Sequence, residues 1–235
     1  MEGFVVGVSG GVDSALTSTL CAKTGAKVVL VNMPIRQTTE EYERAKNQIS
    51  VLEETYENVK GIEIDLTSTF DFFEKDLPVE TAEDLLAMAN SRARLRMTTL
   101  YAVGQSHKLL VAGTGNKVED FGVGFYTKYG DGGVDISPIA DLMKSEVYQL
   151  AKYVGIIDEI LKAKPTDGLW GDGRNDEDQI GASYDELEWA MTYSGEESNL
   201  SDRKKEVLKI FKKFHQANRH KMIPIPVCVI PERYK

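Results

Sequence analysis

The sequence predicts an α/β protein with a doubly wound parallel sheet flanked by helices and a helical extension at its C-terminal end. Short apolar runs rich in β-branched residues alternate with longer segments of helical periodicity through the first half of the chain. These runs carry little charge, which is typical of parallel strands buried on both faces. Beyond residue 183 the apolar spacing is helical, which predicts the extension.

The elements follow from these patterns in order. Strands are predicted at residues 4–8, 27–33, 61–66 and 108–113. Helices are predicted from Asp13 or Ser14 onward and at residues 39–56, 69–75, 81–107, 144–153, 184–191 and 201–214. Residues 113–133 are glycine-rich and predict no long regular element, whereas 135–139 predict a last short strand. Residues 164–181, with four glycines and five acids, are interpreted as a mobile lid with Trp170 as its apolar latch, and the three prolines of 223–231 exclude a helix there.

Composition bounds the function. The 235 residues suit one domain, and the net charge of −9 argues against general binding of nucleic acid or of an anionic membrane. Cys21 and Cys228 share no short spacing, so neither a cysteine metal site nor a redox pair is expected. No apolar run is long enough for a membrane span. A reduced, cytoplasmic setting is the expectation.

The most informative stretch is the turn Ser-Gly-Gly-Val-Asp-Ser at residues 9–14. A strand, a glycine turn and a helix N-terminus together form a phosphate-binding arrangement, because the first amides of the helix have no partner within it. The turn lacks the lysine of a Walker A loop and the spacing of a dinucleotide fingerprint. Asp13 would repel a phosphate unless a divalent cation lay between them. The pattern therefore predicts a magnesium-bound polyphosphate, the alternative being an ordinary turn capped by Asp13.

Topology points to the same place. Ligands of open α/β sheets bind at the carboxyl ends of the strands where strand order reverses. The crossover from the third to the fourth strand is the natural reversal, and it would bring residues 9–14 beside residues 114–119. Thr114 and Glu119 could then contact a nucleotide and its metal, although a solvated turn explains the pattern equally well.

Residues 9–14 resemble the signature of the N-type ATP pyrophosphatases. Together with residues 113–119, 125–133, 164–170 and 176–185, they resemble the ammonia-dependent NAD synthetases. The resemblance implies a single domain over residues 1–235 without a glutaminase domain, and a homodimer with its site at the interface. It also implies that ATP adenylates deamido-NAD, that pyrophosphate leaves, and that ammonia then gives NAD and AMP, with Mg²⁺ as cofactor.

The resemblance also implies residue roles. ATP would contact Gly7, Val8, Ser9, Gly10, Gly11, Val12, Asp13, Ser14, Arg36, Thr114, Lys144 and Thr166. Deamido-NAD would contact Arg94, Lys128, Asp135, His220 and Lys221. Asp13 and Glu119 would hold the metal. Asp13, Lys144 and Asp131 are the candidate catalytic residues, and Asp131 is the candidate for positioning ammonium.

Charge gives partly independent arguments. A protein of net charge −9 that binds a triphosphate, a diphosphate and a carboxylate is expected to concentrate its cations in one cleft. Lys144 begins a predicted helix, where a cation opposes the helix dipole, so a functional role is favoured. Arg94 could equally be a surface arginine, and His220 with Lys221 could simply stabilise a helix C-terminus.

Two alternatives stay open. Another pyrophosphatase, either tRNA-thiolating or GMP-forming, is one class, although a tRNA enzyme would favour a basic face and paired cysteines. A nucleotide-binding module without turnover is another. Two departures from the family bear on these expectations: the first strand begins at Phe4 where relatives usually have a preceding helix, and one extra residue lies between Glu119 and Lys128. The first departure leaves open a trimmed N-terminus or a different dimer edge.

Overall fold

A computed structural model describes residues 1–163 and 175–235. Its sheet has four parallel strands in the order β3-β2-β1-β4: β1 (Gly3–Gly7), β2 (Lys27–Asn32), β3 (Val59–Glu63) and β4 (Leu109–Val111). Val5 in the centre of β1 is paired with Val29 on one side and Val111 on the other. The predicted four-stranded parallel core is therefore confirmed.

Helices separate the strands and continue after them. They are α1 (Val12–Lys23), α2 (Thr39–Thr55), α3 (Thr67–Lys75), α4 (Val79–Ala82), α5 (Leu85–His107), a π-helix (Val118–Val123), α6 (Lys144–Tyr153), α7 (Asp158–Lys162), α8 (Asp176–Ile180), α9 (Tyr184–Thr192) and α10 (Asp202–Met222). Single 3₁₀ turns occur at Glu197–Asn199 and Glu232–Tyr234. Within the described residues, no helix is both long and apolar enough to cross a bilayer.

Both faces of the sheet are covered, as a doubly wound fold requires. Val6 of β1 packs with residues of α1 and α2, whereas its neighbour Val5 packs with Phe70 of α3 and Met88 of α5. Successive residues of a strand point to opposite faces, so both faces need apolar side chains. This explains why the strands read as continuous apolar runs rather than as alternating ones.

The strand order places the reversal where the sequence predicts it. After β3 the chain returns across β2 and β1 to add β4 on the far side of β1. The carboxyl ends of β1 and β4 are therefore neighbours. The turn after β1 and the loop after β4 open onto the same edge of the sheet.

A second layer forms the C-terminal extension. The π-helix, α8, α9 and α10 share a core that includes Val118, Leu187, Val207 and Leu208. Helix α10 extends to Met222, well beyond the predicted end at residue 214. Its apolar periodicity ends earlier, but side chains of the last two turns contact another element, as described below.

The predicted strand at residues 135–139 is wrong. Only one bridge forms there, between Ala112 and Ile136. Asp135 accounts for this, because its carboxylate accepts the Val111 N–H at 2.8 Å while its own N–H donates to the Val111 carbonyl at 2.9 Å. Pro138 has no N–H with which to continue a ladder.

Other differences are small. β3 lies two to three residues earlier than predicted, and α7, the π-helix and α8 are short elements that periodicity does not reveal. Helix α8 lies at the end of the predicted lid. Residues 164–174 of that segment, which include Thr166 and Trp170, lie outside the described part of the chain.

Candidate active site

The turn after β1 is braced by its two serines. Ser14 Oγ donates to the Gly11 carbonyl at 3.0 Å and accepts the Ser9 N–H at 3.2 Å. Gly11 is the N-cap of α1, and no side chain within residues 1–163 and 175–235 caps this helix. The first amides of α1 are therefore left without a side-chain acceptor, as an anion-binding helix terminus requires.

Gly10 allows this turn to lie against α2. Its φ of +85° is in the left-handed region, and a Cβ there would lie 2.6 Å from the Glu41 carbonyl oxygen. Arg44 Nε donates to the Gly10 carbonyl at 3.2 Å. A side chain at position 10 would therefore be strained and would also displace α2.

A cleft of about 270 Å³ opens at this edge of the sheet. All of residues 7–14 line it, and so do Thr114, Glu119, Asp131 and Lys144. The structure thus brings together most of the predicted nucleotide, metal and catalytic residues. They come from the loops after β1 and β4 and from the start of α6.

Lys144 lies between the two carboxylates predicted to hold a metal. Its Nζ is 2.6 Å from Asp13 Oδ2 and 3.0 Å from Glu119 Oε1, and only 3% of its side chain is exposed. Asn116 Nδ2 donates to Asp13 Oδ1 at 3.0 Å, while Asn116 Oδ1 accepts the N–H groups of Val118 and Glu119. One asparagine therefore joins the start of the π-helix to the start of α1.

The three charges shift one another's pKa values. Burial would lower the pKa of Lys144, but Asp13 and Glu119 outweigh burial and raise it, so the ammonium stays charged at neutral pH. Burial and the neighbouring Glu119 raise the pKa of Asp13 despite the attraction of Lys144. Burial opposes ionisation of Glu119 too, yet Lys144 and a hydrogen bond from Tyr184 lower its pKa overall.

The charge of the cleft lining differs from expectation. Among the described residues that line it, Arg44, Arg96 and Lys144 are basic, whereas Asp13, Glu41, Glu119, Asp120, Asp131 and Asp176 are acidic. The expectation that basic residues are concentrated in this cleft is therefore wrong, because acidic residues outnumber them in the described lining. A polyphosphate can enter such a cleft only with compensating cations.

The donor set fits Mg²⁺. Asp13 and Glu119 offer carboxylate oxygens, and they are close enough to share one cation, because both contact Lys144. Within residues 1–163 and 175–235, no group of three His, Cys, Asp or Glu side chains is placed to hold a metal. Two carboxylates completed by substrate phosphates are the usual arrangement for Mg²⁺ in nucleotide sites.

Asp131 lies between the cleft and a smaller adjoining cavity of about 170 Å³. Its Oδ1 accepts the Thr127 N–H at 2.9 Å, and burial raises its pKa to about 6. Asp120 lines the same two spaces, and burial together with Glu119, Asp131 and Asp13 raises its pKa to about 8. These carboxyls make this part of the wall suitable for a cationic or hydrogen-bond-donating group.

The residues predicted to contact deamido-NAD lie elsewhere. Lys221 lines the smaller cavity, and its Nζ donates to the carbonyls of Gly124 and Tyr126 at 2.8 and 2.7 Å. Lys128 Nζ donates to the His220 carbonyl at 2.5 Å. Asp135 accepts hydrogen bonds from Val111 and Tyr101, and neither it nor Arg94 lines the main cleft.

Arg36 also lies outside the main cleft. Its guanidinium pairs with Asp71 at 2.5 Å and Glu74 at 2.6 Å, over the ring of Phe70. Its ATP contact stays a prediction, and so do the five dinucleotide contacts.

Sequence reasoning assigned no role to Asn116 or Tyr184. Asn116 lies two residues before the first residue of the π-helix, and an asparagine just before a helix is a recognisable capping signal. Tyr184 has no local signal, because its hydroxyl partner Glu119 is 65 residues away in the chain.

Comparison with known proteins agrees with the geometry. A family model described as NAD synthase matches residues 1–224. Curated relatives described as NH(3)-dependent NAD(+) synthetase include one from Mesoplasma florum, 37% identical over 86% of this chain and 81% of its own length. Another from Archaeoglobus fulgidus is 43% identical over 79% of this chain and 73% of its own length.

Solved structures agree as well. An NMN synthetase from Francisella tularensis is 31% identical, with a TM-score of 0.84 over 98% of this chain and 90% of that one. An NH3-dependent NAD synthetase from Campylobacter jejuni is 28% identical, with a TM-score of 0.75 over 97% of this chain and 90% of that one. The chain belongs to the NAD synthase family.

Proposed function

We propose that this protein is a ligase that converts deamido-NAD, ATP and ammonia to NAD, AMP and pyrophosphate. The observation that carries the proposal is the Asp13–Lys144–Glu119 cluster beside a glycine turn that ends in an uncapped helix. This arrangement suits a polyphosphate whose α-phosphorus is attacked by a carboxylate, because two anions must be brought together.

The residues have separable roles in the first half-reaction. The amides at the start of α1, with Ser9 and Ser14, would hold the β- and γ-phosphates that leave as pyrophosphate. Lys144 would neutralise charge that develops at the α-phosphate, and Thr114 and Thr166 would contact the nucleotide. Asp13 and Glu119 would hold Mg²⁺, which when bound supplies further neutralisation of phosphate charge.

In the second half-reaction, ammonia displaces AMP. The nitrogen lone pair attacks the carbonyl carbon of the acyl-adenylate, the C–O bond to AMP breaks, and the nitrogen gives up a proton. Ammonium has no lone pair until it loses a proton, so Asp131 would position the incoming ammonium and accept that first proton, which fits a carboxyl whose pKa is raised to about 6; the second proton, lost after the attack, leaves to solvent. Arg94, Lys128, Asp135, His220 and Lys221 would contact deamido-NAD, with ATP also contacting Arg36.

The proposal includes residues 1–235 acting as one domain in a homodimer. Free ammonia is then the direct nitrogen donor. Neither cysteine is a suitable amidase nucleophile: Cys21 is buried with a pKa raised by burial to about 11, and Cys228 lies in the exposed tail. Robust turnover by the pure protein with glutamine in place of ammonium would contradict this assignment.

A second candidate is the same chemistry on nicotinate mononucleotide, giving NMN. The likeness to the Francisella NMN synthetase over nearly the whole chain favours it. None of the five predicted dinucleotide contacts lines the main cleft in this chain, and a mononucleotide would need fewer of them.

The deciding experiment measures AMP release with ATP, Mg²⁺ and ammonium in the presence of deamido-NAD, nicotinate mononucleotide or neither. A kcat/KM at least tenfold higher for one substrate identifies it. AMP release independent of both substrates, or none with either, would overturn the ligase proposal and favour another pyrophosphatase or a binding module.

A further inference from the structure

Tyr184 contacts two charged side chains of the cleft, Glu119 and Lys144. Its hydroxyl lies 2.5 Å from Glu119 Oε1, and Lys144 Nζ lies 4.7 Å from the centre of its ring. Tyr184 itself is only 6% exposed. A single buried side chain thus joins a carboxylate proposed to bind metal to the lysine proposed to bind ATP.

The two contacts have different chemistry. Burial and the carboxylates of Glu119 and Asp176 raise the pKa of the Tyr184 phenol, so the hydroxyl remains a donor. It therefore donates to Glu119 in the neutral pH range. The ring offers Lys144 its electron-rich face, which attracts an ammonium group.

Tyr184 is itself held in place from the other side. Its N–H donates to Glu177 Oε1 at 2.8 Å, and its hydroxyl lies 3.2 Å from Asp176 Oδ2. It is the first residue of α9, whose N-terminus is fixed by a capping box between Ser183 and Glu186. Glu119, by contrast, lies on a short π-helix of six residues, and Lys144 is the first residue of α6.

We propose that Tyr184 is a positioning residue that sets Glu119 for metal binding and Lys144 for nucleotide binding before either ligand arrives. Preorganised ligands bind more tightly because less ordering remains to be done on binding. The inference rests on the proposed function in assigning the metal to Asp13 and Glu119. It extends that function, because it makes α8 and α9 part of the metal site.

The test measures binding of Mn²⁺, by electron paramagnetic resonance, to the full chain saturated with α,β-methylene-ATP, so that no turnover occurs. Tyr184→Phe removes only the hydroxyl and should raise the Mn²⁺ Kd roughly tenfold, as expected for loss of one hydrogen bond to a charged group. Tyr193→Phe is the matched control, since the Tyr193 hydroxyl donates to the Glu196 carbonyl in the same layer, away from the cleft. It should leave the Kd unchanged.

Glu119→Gln separates the two proposals. It should weaken Mn²⁺ binding, and adding Tyr184→Phe to it should cause little further loss, because the hydroxyl acts through the carboxylate. If Glu119→Gln has no effect, the proposed metal site is wrong. If Glu119→Gln weakens binding but Tyr184→Phe does not, only the role of Tyr184 is wrong.

Kinetics give a second readout. Tyr184→Phe should raise the Mg²⁺ concentration for half-maximal activity and lower kcat, while KM for ATP changes less than twofold because the ring under Lys144 remains. Tyr184→Leu, which removes the ring, should also raise KM for ATP. A Tyr184→Phe protein that fails to fold, or one with wild-type Mg²⁺ dependence, would overturn the inference in favour of a structural role.

Discussion

Lys144 is an almost fully buried cation that forms ion pairs with two carboxylates among the described residues. A buried charge is costly to desolvate, and removing one partner of a buried pair leaves the other uncompensated. Loss of Lys144 would therefore destabilise the protein, and the two carboxylates that it contacts could bind a different cation in its place.

Replacing Lys144 by Met should reveal both effects, the loss of stability and the binding of another cation. Without Mg²⁺ the variant should be destabilised by roughly 3–5 kcal/mol, because Asp13 and Glu119 lose their shared cation. Added Mg²⁺ should raise its Tm more than that of the wild type, since no ammonium competes for the carboxylates. Differential scanning calorimetry with and without Mg²⁺ measures this, and equal Mg²⁺ effects on both proteins would contradict the shared site.

Asp13 offers a direct test of the first half-reaction. Asp13→Ala should abolish adenylate formation while the protein stays folded, because it removes a proposed metal ligand from a cleft that keeps its backbone donors. Pyrophosphate release and circular dichroism report the two outcomes. Asp141→Ala is a suitable control, since Asp141 pairs with Lys117 on the surface with 97% of its side chain exposed. Undiminished pyrophosphate release by Asp13→Ala would refute the metal role.

Asp131 should make stability depend on pH. Its pKa is about 6 in the folded protein, above its ordinary value of 3.8, so the folded state retains a proton that the unfolded state loses. The contribution is present below about pH 4 and is lost as pH rises to about 6, and solvent screening reduces its size because Asp131 is exposed. In Asp131→Asn the fall between pH 4 and 6 should be smaller than in the wild type, because Asp120 with its own raised pKa still contributes, while the Asn carbonyl can still accept the Thr127 N–H.

Denaturant titrations between pH 4 and 7 measure the difference. Asp141→Asn is the control, because Lys117 holds the pKa of that exposed carboxyl below its usual value. It should not remove the fall in stability. Parallel pH profiles for the wild type and Asp131→Asn would show that Asp131 is ionised throughout this range.

At the scale of elements, side chains of α10 bind backbone carbonyls in the wall of the cleft. His215 contacts the Gly122 carbonyl, Asn218 donates to the Val123 carbonyl, and Lys221 donates to those of Gly124 and Tyr126. Gly122 and Val123 end the π-helix that carries Glu119, and Gly124 and Tyr126 follow it, where carbonyls no longer have partners within the helix. Tertiary contacts therefore explain both the extra length of α10 and the geometry of the loop.

Lys221→Met tests whether this lysine supports the loop or contacts substrate. Loss of both carbonyl bonds should destabilise the protein by roughly 1–3 kcal/mol, and Asn218→Leu should act in the same direction. Lys213→Met, at an exposed position of the same helix, should change little. Urea denaturation gives the stabilities. A Lys221→Met variant of wild-type stability with a raised KM for deamido-NAD would instead support the substrate contact implied by the resemblance.

At the scale of the whole molecule, the exposed apolar side chains of the C-terminal tail are candidates for the interface of the proposed homodimer. The tail after α10 exposes Ile225, Val227 and Val229 to 64%, 80% and 83%. Neighbouring exposed apolar side chains are typical of surface that another molecule covers.

The proposed homodimer predicts a solution mass of twice the 26.1 kDa chain. Light scattering coupled to size exclusion measures it. A monomer at the concentrations used for activity, with full turnover, would show that the site is complete within one chain.

Local pattern was sufficient to predict the strand order, the glycine turn between β1 and α1 and the meeting of residues 9–14 with residues 114–119. Each depends on short-range chemistry: β-branched runs, a glycine turn before a helix, and the fixed handedness of parallel crossovers. Asp13, Glu119, Thr114 and Lys144 were identified through motifs on these elements, and the structure brings them to one cleft.

Only the tertiary structure decided how those residues are partnered. Lys144 meets Asp13 across 131 positions of the chain, and Lys221 meets Gly124 across 97, separations over which no periodicity carries information. The acidic lining, the role of Tyr184 and the loss of the strand at 135–139 follow from such contacts too. Sequence by itself determined the four strands and the longer helices, together with the chemistry that they can carry. The packing of distant elements determined where each charge lies, because burial and pairing are properties of the folded chain.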